Sequence, residues 1–455
     1  MKIIKNIKRK IFYSFDKSLS LESSIVVPKN LSETQKVFKY ALKNKKKITF
    51  VGSGYSYGDQ NFNHDGIVIS TEKFNKFISL NKKKKIITVE PGVKVIDVVE
   101  YLNKRKLSIN NLPGNLEITV GGAIGNNVHG KDSYKHGYFS DNIKELTILK
   151  SDNKIVKLKR NNKNFKYFSN SLGLLGFFFK ISLKVQNLKS TFLQVEKLGF
   201  SNIYQFETLL AKMSKNDYFY AYVNTFTKKN IGNGFFEFAN YCKIKREPKK
   251  NSFFIKNIFK TSFFFFKYLS HINFFFKFLN YTYYFLSKKN FNKKYYLTNI
   301  EYFQPLRNLP NFHKLFINGF REIQIIIDKK KFTKLFITIT KLVQNYYSGS
   351  FICSIKLHKK DNSIIRFCGS DSLSFGINLN FSDSHSMKFK NFMTELTNII
   401  KKNNCRIYFA KDSIFNFSDL SNTQQLDLKK FIKFKKKFDK KNLFENGFYS
   451  RLNNK

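Results

Sequence analysis

Three glycine-dense segments in the first 180 residues hold the residue types that could do chemistry. The first, Gly52-Ser53-Gly54-Tyr55-Ser56-Tyr57-Gly58-Asp59, directly follows an apolar run ending at Val51. Glycine permits positive φ and lets backbone N–H groups come close to an anion, which is how loops after strands cradle phosphates. The spacing G-x-G-x-x-x-G is neither the Rossmann fingerprint nor a Walker loop, and no amphipathic helix follows directly. Taken alone, this loop reads equally well as an ordinary turn. The second cluster runs through Leu112-Pro113-Gly114-Asn115, then Thr119-Val120-Gly121-Gly122-Ala123-Ile124-Gly125, then Asn127-Val128-His129-Gly130. Few side chains in it are bulky enough to block a ligand, so a large, planar, phosphorylated cofactor could lie along its backbone. The third, Gly173-Leu174-Leu175-Gly176, offers another close-approach turn. Each has a structural-turn explanation; all three in this order point to a cofactor.

The elements that must position these loops follow from hydrophobic periodicity. Short β-rich runs are expected at 47–51, 66–71, 86–90 and 177–185, a hairpin across 143–150 and 154–159, and helical spacing at Val95, Val98, Val99 and Leu102. Strands and helices mixed with tight turns make an α+β domain over residues 1–187. From 188 to 405 glycine thins out, and longer strands, such as those expected at 321–327 and 375–381, alternate with amphipathic helices. The stretch 406–455 opens with an expected strand, Arg406 to Ala410, runs through Lys411-Asp412-Ser413, and resumes helical spacing near Asp427. Within the middle region, the segment at about 250–290 is packed with Phe and Tyr but broken by Lys256, Lys260, Lys267 and Lys277. Those charges argue against a spanning helix. An interfacial helix on a lipid surface, a buried helical hairpin and an insertion of biased composition all remain open for it.

Composition limits the function classes. The chain has 455 residues and a formal net charge of +51, enough length for two cores and enough charge to suggest nucleic acid. The enriched residues Lys, Asn, Phe and Ile share AT-rich codons, Trp is absent and Pro numbers only 6, so coding bias explains the charge without a selected partner. The lysines are scattered, and the short runs Lys45–Lys47, Lys82–Lys85 and Lys435–Lys437 read as solvated faces. No nucleic-acid partner is expected, although a basic surface suits an anionic membrane face or a phosphate-bearing substrate. Cys242, Cys353, Cys368 and Cys405 are widely spaced with no C-x-x-C, so no metal site or disulfide framework is expected and a reducing compartment fits. The first fifteen residues are basic without an apolar h-region and do not read as a signal peptide. A cytoplasmic location, peripheral at the inner face of a membrane, is the expectation.

The glycine segments, together with Lys131, Gln324, Lys356 and the run Tyr408 to Ser413, resemble the vanillyl-alcohol oxidase / p-cresol methylhydroxylase superfamily, and within it the decaprenylphosphoryl-β-D-ribose 2′-oxidases. The resemblance covers most of the chain except about 240–300. It implies a PCMH-type FAD-binding domain of two α+β subdomains, a substrate domain (188–405) with an antiparallel sheet flanked by helices, and a C-terminal segment (406–455) that returns to the FAD domain. It assigns Gly52, Ser53, Gly54, Tyr55, Ser56, Tyr57, Gly58, Gly114, Thr119, Gly121, Gly122, Ala123, Asn126, His129, Gly130 and Gly176 to the FAD. It makes Lys411, Tyr57 and His129 catalytic candidates and puts Lys131, Gln324, Lys356 and Asn378 on the substrate side. Hydride would leave an alcohol carbon for flavin N5, with an ammonium such as Lys411 stabilising the resulting negative charge. A lysine or tyrosine would take or relay the hydroxyl proton.

Two departures from the family pattern matter. Tyr55 stands where relatives with covalent FAD have histidine, so the FAD is expected to be non-covalent. Asn378 stands where the ribose oxidases carry a cysteine, which touches substrate identity rather than chemistry. The expected substrate is a sugar, specifically a polyprenyl-phosphate-linked pentose, with a short-chain reductase as partner to return the ketone as an epimer. The alternatives are an aldonolactone oxidase, such as a D-arabinono-1,4-lactone oxidase, and a non-catalytic basic binding protein on a degenerate flavin fold.

Overall fold

Period-two alternation of apolar residues builds three main sheets in this α+β chain, and the largest presents one greasy and one polar face. In the computed structural model, residues 2–5, 7–243, 273–304, 319–380 and 386–453 are described. The first sheet has four strands in the order Lys8–Tyr13, Ser20–Val26, Ile67–Ser70, Ile48–Val51. Its last three strands run parallel, and Val37, Phe38 and Ala41 of the helix Leu31–Lys43 lie in its core. The second sheet is antiparallel, in the order Phe77–Asn81, Ile86–Val89, Phe177–Lys184, Ile143–Leu149, Ile155–Lys159, and includes the expected hairpin. The helix Val95–Asn103 buries Val95, Ile96, Val98, Val99 and Leu102.

The third sheet has eight antiparallel strands in the order Tyr295–Thr298, Phe192–Phe200, Gly234–Cys242, Tyr218–Val223, Cys353–His358, Ser372–Asn380, Phe320–Asp328, Arg406–Ile407. Successive side chains on a strand point to opposite faces. Ile323, Ile325 and Ile327, with Ile355 and Phe375, go into the core with the helices Ile203–Met213, Phe332–Tyr347 and Met387–Asn403; Phe336 meets Phe375 at 5.2 Å between ring centroids. The intervening residues form the other face. Glu322 pairs in register with Asn378, and Lys356 with Ser374, and Gln324 reaches Ser374 there. That polar face turns toward the glycine loops.

Several local expectations are corrected. The glycine cluster at 120–125, read as a turn or a side-chain-poor cofactor wall, is a short helix, Val120–Gly125, which Thr119 caps by accepting from Gly122 N–H at 3.2 Å. The strand expected at Arg406 to Ala410 ends at Ile407; Tyr408 N–H still reaches Gln324 O, and the chain then tightens into a 3-10 turn, Phe409–Lys411. Arg406 and Ile407 pair with Ile326 and Ile325 at the edge of the eight-stranded sheet. The last long helix starts at Asn422 and ends at Phe438. Beyond it Phe444 forms a parallel bridge with Ile48 and joins the core of the first sheet. Of the aromatic, lysine-studded segment, 250–272 lies outside the described residues, while Asn273–Lys288 is a helix. Phe381, expected at the end of a strand, also lies outside them. No helix among the described residues is long and apolar enough to cross a membrane.

Candidate active site

The three glycine segments meet in one cleft of about 370 Å³, within the range of ligand sites. Gly52 to Tyr57 leave the end of the strand Ile48–Val51 and line it, as do Gly114, Thr119, Gly121, Gly122, Asn126, Gly173 and Gly176. Small residues are required here for two different reasons. A Cβ at Gly52 would collide with Thr119 Oγ1, so only glycine lets the first loop touch the capped helix. Gly54 has φ +75° with nothing near its Cβ position, so its backbone is left-handed and open to the cleft. Ser53 Oγ donates to Glu117 O at 2.7 Å and fixes the loop against the second segment.

The cleft contains donors and acceptors that the protein leaves unused. Among the described residues, the N–H groups of Ser53, Gly54, Tyr55 and Ser56 have no partner. The buried atoms Asn126 Oδ1, Gln60 Oε1 and His129 Nδ1 are also without one. Burying polar groups unpaired costs free energy, so this arrangement suits a ligand that is polar along one edge and carries anionic groups. A glycine-walled slot with spare N–H donors beside the loop fits FAD.

The polar face of the eight-stranded sheet and the turn after Tyr408 close the other side. Lys411 forms an ion pair with Glu322 and lies 5.1 Å from the centre of the Tyr57 ring. Burial, then the Glu322 and Asp16 carboxylates, hold the Tyr57 hydroxyl well above its ordinary range. The Gln324 amide nitrogen lies 3.2 Å from His129 Nε2 and donates to Ser374 Oγ at 3.0 Å; Ser374 Oγ in turn lies 2.8 Å from His358 Nε2. Burial, followed by the Lys356 charge, pushes both histidines well below the usual imidazole range, so both are neutral at pH 7. Lys356 is half-buried and lines the cleft. Burial first, then Lys411 and Lys131, lower its ammonium to about 7. Tyr408 also lines the cleft and donates its hydroxyl to Asn126 O at 2.8 Å.

Some sequence candidates stand elsewhere. Lys131 is buried behind the cleft, donating to Tyr302 O at 2.9 Å, 3.6 Å from Glu237 and 3.6 Å from the Tyr302 ring centre. Asn378 shares the polar face, but its amide is spent on Phe351 O and Ile352 O at 2.8 and 3.0 Å. Gln324 acts behind His129 rather than in the wall. Gly58, Ala123 and Gly130 are also absent from the cleft lining. Gly58 is needed where the loop abuts Asp412 O, Gly130 where the chain passes Leu112 O, and Ala123 is a core residue of the short helix. The sequence reading missed Glu322, Ser374 and His358. Glu322 was within reach of it, since it lies two positions before Gln324 on the same strand face. It also missed Arg451, which ties Asp59 and Asp412 together from the C-terminal helix Gly447–Asn453.

Comparisons with known proteins agree with the fit. Residues 23–159 match the FAD binding domain family. Mouse L-gulonolactone oxidase is 31% identical over 159 residues, 34% of this chain and 36% of that protein. D-arabinono-1,4-lactone oxidase of Kluyveromyces lactis is 29% identical over 192 residues, 40% of this chain and 34% of that protein. Decaprenylphosphoryl-beta-D-ribose oxidase of Mycolicibacterium smegmatis is 31% identical over 107 residues, 24% of this chain and 23% of that protein. The chain thus aligns with about a third of the two lactone oxidases and about a quarter of the ribose oxidase.

Proposed function

We propose, from a chain whose residues 23–159 match the FAD binding domain family, that this protein is an FAD-dependent oxidoreductase acting on a CH–OH group of a sugar-like substrate. Residues 1–187 would hold the cofactor and 188–405 the substrate, with 406–455 completing the cofactor side. Bound FAD supplies the hydride acceptor. The observation that carries the reading is convergence: the glycine-walled cleft is closed by Lys411, Lys356, Tyr57 and His129, drawn from four separate stretches of chain.

The roles follow from the geometry. The Ser53–Ser56 N–H groups would bind anionic parts of the cofactor. Lys411, steadied by Glu322, keeps a positive charge at the wall where negative charge develops during hydride loss. His129, neutral and backed by Gln324, offers a hydrogen-bonding ring nitrogen without adding charge. Tyr55 supports non-covalent FAD, because a phenol takes the place of the histidine found where flavin is tethered.

For the substrate, Ala410-Lys411-Asp412-Ser413, Gln324 and Lys356 support a polyprenyl-phosphate-linked pentose, oxidised as the first half of an epimerisation that a short-chain reductase completes. The basic surface supports contact with an anionic membrane face, where such a lipid resides. An aldonolactone substrate is the second reading, supported by the longer stretches shared with gulonolactone and arabinonolactone oxidases. Purified protein should be yellow, and acid precipitation should leave the flavin in the supernatant; flavin in the pellet would overturn the non-covalent assignment. Anaerobic mixing with polyprenyl-phosphate pentoses and with aldonolactones, read as flavin bleaching, decides between the substrates. Lys411→Ala should slow bleaching by at least about 100-fold with FAD still bound; unchanged bleaching removes Lys411 from the chemistry.

A further inference from the structure

We propose that Lys356 is the group that accepts the substrate's hydroxyl proton. The inference rests on the oxidoreductase reading and adds to it the identity of the base. As the C–H electron pair leaves as hydride to bound FAD, the O–H bond breaks, its electrons close the carbonyl, and the proton passes to the lone pair on Lys356 Nζ.

The argument starts from three lysines on or beside one sheet face. Lys411 has a carboxylate, Glu322. Lys131 has Glu237 and the Tyr302 carbonyl. The Lys356 ammonium has no ion pair or hydrogen bond among the described residues, yet it sits in the cleft wall with Tyr57, His129 and Lys411. Two cations and two carboxylates surround it, and the cations act on its charge more strongly. Lys411 from the turn after Tyr408 and Lys131 from the segment after the short helix oppose its charge; Glu322 on the strand Phe320–Asp328 and Asp132 favour it. His358 on its own strand and His129 opposite are both neutral, held so first of all by burial. A general base works best when its pKa lies near the working pH. Lys356 at about 7 meets that condition. Tyr57 is held too high, and His129 too low to carry a proton away.

Two measurements on the FAD-loaded protein test this. Acetylation with acetic anhydride across pH, followed by peptide mass spectrometry, should show Lys356 reacting with a midpoint near 7, against about 10.4 for a free lysine. A Lys356 midpoint near 10 overturns the proposal. In stopped-flow bleaching, the wild-type rate should rise through about pH 7. Lys356→Ala and Lys356→Arg should keep the flavin spectrum, lose that rise, and slow by at least about 100-fold. Added ethylamine should partly restore Lys356→Ala in proportion to its free base. A loss confined to substrate affinity, or a variant that keeps the wild-type pH profile, overturns the proposal. If no sugar alcohol or lactone bleaches even the wild type, the oxidoreductase reading itself fails.

Discussion

Asp132 is 1% exposed, and Asn111 N–H donates to its Oδ2 at 3.0 Å while Oδ1 has no partner. Burial raises its carboxyl to about 6, against the lowering effect of that hydrogen bond. The folded pKa therefore lies above the unfolded one, so the folded chain holds the proton more tightly. The associated stability is complete below about pH 4 and is lost as pH rises through about 6. A shift of about two units corresponds to about 3 kcal/mol. Asp132→Asn keeps an acceptor for Asn111 and removes the charge, so it should stabilise the protein by about 1–3 kcal/mol at pH 8 and be near neutral at pH 4. Urea unfolding of both proteins over that range checks this, and a pH-independent difference would overturn it. At this scale the sequence was only partly readable. Lys131, Lys356 and Lys411 look alike along the chain. They are told apart by Glu237 and Glu322, counter-ions brought in by sheet register from distant sequence.

Elements were more legible where a repeat governs them. Period two in Phe320–Asp328 separates Ile323, Ile325 and Ile327 from Glu322 and Gln324, and that alternation is visible in the sequence. Turns were less legible. Gly121 and Gly122 read as a turn or a side-chain-poor cofactor wall, yet a threonine cap makes helix there, and the apolar run after Arg406 gives way to a 3-10 turn. The clamp on that turn left no sequence signal at all. Arg451 reaches Asp59 Oδ2 at 2.8 Å and Asp412 Oδ2 at 3.1 Å, so one short helix pins both the residue after Gly58 and the residue after Lys411. Removing one partner of a buried pair costs about 3–5 kcal/mol because the other charge is left stranded. Arg451→Met should therefore destabilise by about that much and release FAD more readily, with Arg451→Lys intermediate. Thermal unfolding and the fluorescence of freed flavin measure both effects; a variant with wild-type midpoint and flavin retention would show the clamp to be idle.

For the whole molecule, the +51 charge bears on solubility and non-specific attraction rather than fold, and the path of the chain decides how the parts depend on one another. After Arg406 and Ile407 close the eight-stranded sheet, the helix Asn422–Phe438 stacks Phe434 on Tyr167 at 3.9 Å. Its Asp427 binds Arg366 and Arg406, both at 2.6 Å. Phe444 then bridges to Ile48 in the first sheet. The C-terminal stretch thus adds a third tie to direct contacts such as Lys131 with Tyr302 O and Gln324 with His129, and the site lies on that seam. Separable domains would melt separately; here loss of the first sheet frees the clamp at Asp412 and the neighbouring Lys411, which faces the large sheet. Calorimetry should therefore show one cooperative transition, and FAD at about 100 times its Kd should stabilise that whole transition by about 2.7 kcal/mol. Two resolved transitions, with only the earlier one moved by FAD, would mean that the seam carries no coupling and that the eight-stranded sheet stands without the cofactor domain.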